Sequence, residues 1–368
     1  MASPLLASID ARIAAARNPL DSACLRAERA GLLARQGDLD EARAELAQLH
    51  ALHDRAPDAL VSAWLHLADG LVLHFTNEST AARDRMLRSL ALSTAIQARE
   101  VQGLSAAWLA QIEFLREDFF SCAKYLRISF QVAGDEDHAA RSRACLVAAQ
   151  CFHWANRFDL ALPWYRNTRN HSISGGDQAT VGALMHNMAW LRVIQARHAS
   201  VSGSSHREEV CQILSGAESL GHFDALTGMA PLASLVPVLR AHVLTLLERY
   251  AEARDLFIAH MESATAGGLQ RLMGPALVDL AWCRVNVGDS AGARCDADDA
   301  QAGLSDSTHG DERAFIHGRL VQVYETLGIL ERAHHHEQMA IISWKAHAER
   351  QQRLFELVAD VCSDKNAR

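Results

Sequence analysis

Small residues recur along this chain at a nearly fixed interval, and that interval leaves few folds open. Ala30, Gly70, Ala110, Ala149, Ala189, Ala241, Ala281 and, less ideally, Val321 are separated by 40, 40, 39, 40, 52, 40 and 40 residues. A second set follows most of them by 12: Ala42, Ala82, Cys122, Ala161, Ala253, Ala293 and Ala333. Two interleaved registers of this kind describe a repeated pair of helices that cross closely, because neither presents a bulky side chain at the crossing. A large residue at Ala149 or Ala161 would push such a pair apart, at a cost of roughly 1–3 kcal/mol. A stacked array grows without enlarging one core, so the length of 368 residues does not call for separate domains.

The first unit shows the grammar. Leu25 to Gln36 reads as helix A, with Leu25, Leu32 and Leu33 on its apolar face. Gly37-Asp38-Leu39 is the turn, and Asp40 to His50 reads as helix B. Gly37 suits the left-handed residue that ends a helix. Asp38 and Asp40 suit the next helix start, where free N–H groups face them. The linker His53-Asp54-Arg55-Ala56-Pro57-Asp58 breaks one unit from the next. Equivalent turns follow at Asn77, Glu117, Asn156, Glu248, Gly288 and Gly328.

Composition narrows the class of partner. The net charge is -8 and the pI about 6.2, which argues against nucleic acid or an anionic membrane as partner. No apolar run reaches membrane-helix length, and Met1-Ala2-Ser3-Pro4 opens unlike a secretory signal, so a cytoplasmic location is expected. The 8 cysteines form no Cys-x-x-Cys pair. Reduced thiols serving as small apolar residues are expected, with a zinc site as the unsupported alternative.

The segments LLARQGDLDEARAEL, LLERYAEARDLF and RVNVGDSAGAR resemble tetratricopeptide repeats, over roughly residues 22 to 345. The standard unit of that family is shorter, about 34 residues. A period near 40 also fits armadillo or HEAT repeats, but the Gly-Asp turn followed by Ala favours the tetratricopeptide type. The expected fold is therefore all-α: a right-handed α-solenoid superhelix of about eight helix-turn-helix repeats, with a C-terminal capping helix. The repeats fall at approximately 22–56, 60–98, 102–134, 138–171, 179–221, 231–266, 273–304 and 312–345, and residues 346–368 form a capping or dimerisation segment.

Two irregularities stand out. The fifth unit carries an insertion at His198–His206, read either as a plain surface loop or as a binding or regulatory loop, after which helix B resumes with Cys211 as its packing residue. The last helix, starting near Leu330, meets no breaker until about Ser363. Capping explains it, and dimerisation is the alternative. The segment YETLGILERAHHHEQMAI is similar to the last unit of arrays that feed output domains in some bacterial signalling proteins.

The resemblance implies that helix A residues line a concave groove. Mapped onto this sequence, the groove face comprises Trp64, His74, Gln111, Phe114, Arg143, Gln150, His153, Trp154, His186, Trp190, His242, Trp282, Gln322 and Glu325. It lacks the run of Lys, Arg and Asn with which related arrays clamp a peptide carboxylate; Arg143 alone fits such a role. The face is aromatic and neutral-polar, which suits a peptide or a partner helix. Trp190, His242 and Trp282 occupy equivalent positions in consecutive units.

Catalytic signals are weak. No Gly-rich phosphate loop, His-Glu-x-x-His or nucleophile elbow occurs, so no cofactor and no metal are expected. His334, His335 and His336 point about 100° apart on a helix and cannot converge on one metal; they read as an exposed polar face. His50 and His53 lack an evident acidic partner. Cys151 and His153 are two apart and do not face each other. The expected function is a non-enzymatic module that binds a protein or peptide segment. The alternative is a sensor of a small molecule or signalling peptide, and a homodimer through the final helix is compatible with either.

Overall fold

The computed structural model describes residues 3–203, 208, 210–213, 235–266, 273–305 and 308–363. Among the described residues every regular element is an α-helix. Pro4–Ala15 comes first. Helix pairs follow at Pro19–Gln36 and Leu39–His53, Ala59–Phe75 and Ser79–Ala95, Arg99–Leu115 and Phe119–Val132, and His138–Trp154 and Phe158–Ser174. Gln178–Val201 stands next. It is followed by Leu235–Leu246 and Tyr250–Ala266, Met273–Asn286 and Ser290–Ala302, and Gly310–Thr326 and Leu330–Ser363. No helix among the described residues is long and apolar enough to cross a membrane.

The spacing of small residues is explained by packing. Ala30, Ala110, Ala149, Ala241 and Ala281 have no exposed surface, and neither do Ala42, Ala82, Cys122, Ala161, Ala253 and Ala293. Ala189 and Val321 are only partly buried. Gly70 shows how close the helices come: a Cβ there would lie 2.8 Å from Met86 Cγ and 3.3 Å from the Ala82 carbonyl oxygen.

Seven A–B turns among the described residues are closed in the same way. Gly37, Asn77, Glu117, Asn156, Glu248, Gly288 and Gly328 all take positive φ. The next residue then donates its N–H to a carbonyl five residues earlier, as in Asp38 to Leu33 (3.0 Å), Asp118 to Glu113 (3.0 Å) and Ile329 to Tyr324 (2.8 Å). This bond satisfies a carbonyl that the helix end would leave orphaned. Asp118 and Asp289 also cap the following helix through their side chains, whereas Asp38 does not.

The chain divides into two compact units. One takes residues up to Met185 together with the end of the chain from Arg353; the other takes the described residues between His186 and Gln352. In the first unit, Ile9 of the opening helix packs on Leu32 and Ala179. Leu354 and Val358, near the end of the chain, are wholly buried, and the Phe355 ring lies 6.3 Å from that of Phe152.

Four local expectations are corrected. Residues 198–201 are helical rather than loop, because Val201 packs against the Gly318 backbone and Ser200 is bound by Arg319. Residues 204–207 lie outside the described residues. Cys211 is exposed and is not a packing residue. His336 is buried, with its Nδ1 2.9 Å from that of His317 and its ring stacked on Tyr324. His50 does have an acidic partner, Asp69 of the next helix pair, at 3.1 Å.

Candidate functional site

The second unit holds a carboxylate where an apolar helix would not normally tolerate one. Asp279, in the middle of Met273–Asn286, is wholly buried. Such a group needs partners, and it has three. Its Oδ2 accepts from Arg197 Nε at 3.0 Å and from His242 Nδ1 at 2.8 Å, and its Oδ1 accepts from Arg319 Nε at 3.1 Å. Burial pushes the Asp279 pKa up, but Arg197, Arg319 and the His242 hydrogen bond outweigh it and hold the carboxyl below the usual range. Burial, reinforced by Arg197, pulls His242 down to about 4, so the imidazole is neutral at pH 7 and donates from Nδ1.

Arg319 carries this arrangement outward. Its Nη1 donates to Gln322 Oε1 at 2.6 Å and its Nη2 to Ser200 Oγ at 2.8 Å. The guanidinium borders a cavity of about 260 Å³ lined also by Tyr250, Trp282, Gln322, Ser200 and Glu248. The Arg319 Cζ lies 5.6 Å from the Trp282 ring centre, and Tyr250 meets Trp282 edge-on at 6.4 Å. Two arginines facing one carboxylate leave a net positive charge behind an aromatic wall. Such a cavity suits a segment that offers an apolar side chain together with an acceptor or a carboxylate.

Of the residues expected from the sequence, Trp282 and Gln322 share this cavity. Trp190 lies edge-on to His242 at 6.1 Å, and His242 itself is wholly buried. His186 is buried and Glu325 exposed. In the first unit, Trp64, Gln111, Arg143, Gln150 and His153 are all buried. His153 Nδ1 pairs with the Tyr165 hydroxyl at 2.9 Å. His74 meets Trp108 edge-on at 5.7 Å. Phe114 and Trp154 are partly buried, Trp154 against Phe119 at 5.2 Å.

Asp279, Arg197, Arg319 and Tyr250 escaped the sequence reading. A signal for two of them was present: Asp279 and Arg319 each stand two residues before the small residue of their repeat, Ala281 and Val321. Opposite charges at the same register of consecutive units point to a pair that meets across the stack. The first unit also holds a cavity of about 530 Å³ lined by Glu28, Arg99, Glu100, Asp137, His138 and His171. Burial raises Glu28 there to about 7 and Asp137 to about 6.

No family model matches the chain, and no curated protein matches it. Solved structures do. A Rap protein complexed with competence and sporulation factor aligns with a TM-score of 0.57 and 9% identity, over 94% of this chain and 92% of that one. The TPR domain of P58(IPK) aligns with a TM-score of 0.33 and 15% identity, over 84% and 80%. The Rap alignment spans nearly the whole of both chains, so the two share one all-helical fold of repeated helix pairs.

Proposed function

We propose that this chain is a non-catalytic, cytoplasmic binding module that holds a protein or peptide segment against the helix A residues of its repeats. The observation that carries this reading is the second-unit cavity, where Trp282, Tyr250, Gln322 and Arg319 converge and Asp279 fixes the arginine from behind. A guanidinium held by three partners is preorganised, so a ligand does not have to order it on binding. Trp and Tyr supply contact area at low entropic cost.

The Rap protein of the same fold was solved complexed with competence and sporulation factor. That complex favours a second reading in which the bound segment is a signal and the module is a sensor.

Affinity capture from host lysate, native chain against Trp282→Ala, tests the first reading. A protein recovered only with the native chain supports it. An identical set from both removes the cavity from consideration. In the latter case, a melting-temperature rise with an added small molecule or signalling peptide, and no protein partner, favours the sensor.

A further inference from the structure

The opening helix, Pro4–Ala15, lies where a bound segment would lie. A helix that only caps a stack covers the outer side of its first repeat. This one reaches the helix A faces of several repeats. Ile9 packs on Leu32 of the first repeat and on Ala179 of the fifth. A Cβ on Gly176 would stand 3.5 Å from the Leu5 nitrogen. Leu5 and Ile9 also border a cavity of about 40 Å³, shared with Trp64 and Leu71 of Ala59–Phe75 and with Leu104 and Trp108 of Arg99–Leu115. The first and fifth repeats meet directly as well, where Arg35 donates to both oxygens of Asp177 at 2.8 and 2.6 Å.

The helix is lightly held. Ile9 is buried, while Leu5, Leu6 and Ile13 are half-buried. Leu5, Ile9 and Ile13 stand four residues apart and form one apolar stripe. Asp10 accepts from Arg29 at 2.7 Å and Arg12 donates to Glu28 at 3.5 Å, both near solvent. Ser3 makes no side-chain cap bond, and a helix of 12 residues is marginal by itself. The next helix does not lean on it: Pro19 opens that helix, and the Asn18 side chain caps it by accepting from the Leu20 N–H at 3.0 Å. The seat is also underfilled. A void of about 40 Å³ exceeds the space of one water, and native interiors leave few that large.

We propose that Pro4–Ala15 is an autoinhibitory plug on the helix A faces of the first unit, displaced by a partner's amphipathic helix that carries a bulkier apolar side chain at the Ile9 position. This rests on the reading that the helix A faces hold a bound segment. Apolar residues four apart set the register of such a helix. The larger side chain fills the void that Ile9 leaves beside Trp64 and Trp108. While seated, the plug lowers the apparent affinity of every competitor by the fraction of chains left open. Poorly fitting helices are thereby kept out.

The test uses the full-length chain, its Ile9→Asp variant, and a labelled peptide of residues 3–17 followed by anisotropy. The Ile9→Asp chain should bind the peptide at least about tenfold more tightly than the native chain. The peptide carrying Ile9→Phe should bind both chains more tightly than the peptide of native sequence. In hydrogen exchange the Ile9→Asp chain should lose protection over Pro4–Ala15 and keep it over Pro19–Gln36. Equal peptide affinity of the two chains, or no binding to either, overturns the proposal, as does an Ile9→Phe peptide that binds no better. An Ile9→Asp chain that does not fold, or that loses protection over Pro19–Gln36, also overturns it, because the helix is then a structural cap. A native dimer that Ile9→Asp dissociates overturns it too, since the occupant is then a second copy. The second-unit cavity is tested separately by Trp282→Ala, so either reading can fail alone.

Discussion

Two buried groups with the same arginine-to-aspartate ratio do different things in the two units. Each has two arginines, one aspartate and an aromatic ring. In the second unit Asp279 gives one oxygen to Arg319 and the other to Arg197 and His242, so both guanidinium groups are tied. In the first, both oxygens of Asp177 go to Arg35, and Arg143 is left over Trp108. Identical charge balance therefore does not mean identical state. What decides is how the lone pairs of one carboxylate are shared, which makes one group a lock and leaves the other with open valence.

The largest effect should come from cutting the lock. Asp279→Ala strands two buried cations and should cost about 3–5 kcal/mol in urea unfolding. Asp177→Ala strands one and loses a helix cap, so about 2 kcal/mol is expected. Equal losses would erase the distinction between the units. The arginines sharpen it further. Arg197→Met should cost about 3 kcal/mol, as expected for one partner of a buried pair, whereas Arg143→Met should cost nothing.

Acid should act on the locked group next. His242 is held at about 4 in the fold, below the ordinary 6.5 of the unfolded chain. Between those values the unfolded chain binds the extra proton, so stability falls as pH drops from about 6.5 towards 4. The slope attributable to this histidine is about 1 kcal/mol per pH unit. His242→Gln, followed by urea midpoints at pH 7, 6 and 5, should flatten the profile; an unchanged slope would assign it to other groups. The smallest effect concerns a turn at the cavity. Glu248 holds φ at 62°, where only glycine is unstrained. Glu248→Gly should raise stability by about 1 kcal/mol, read as a small rise in melting temperature.

The fold was legible in the sequence because packing there depends on residue size at fixed spacing. The Ala and Gly registers and the turn residues each report a local constraint that no distant contact can override. The site was legible in part. Trp282 and Gln322 could be placed by register, since the groove face follows from the crossing face. Asp279 and Arg319 were not read, because a charged residue in a helix ordinarily marks the solvent side, and only a partner from another repeat makes burial tolerable. His336 was misplaced for the same reason: its partner, His317, lies 19 residues away on the facing helix. The thiols were legible in part: Cys122, Cys145, Cys151, Cys283 and Cys362 are buried like the small apolar residues they replace, whereas Cys211 and Cys295 are exposed.

The end of the chain gives the first unit an unusual timetable. Most stacked repeats assemble from neighbours in sequence and can begin folding while synthesis continues. Here Arg127 pairs with Asp360, 233 residues later, and Leu354 and Val358 complete a core whose other members emerged long before. The first unit is therefore completed only after the residues of the second have been made. Until Leu354 and Val358 arrive, the apolar seat beside Phe152 stays uncovered.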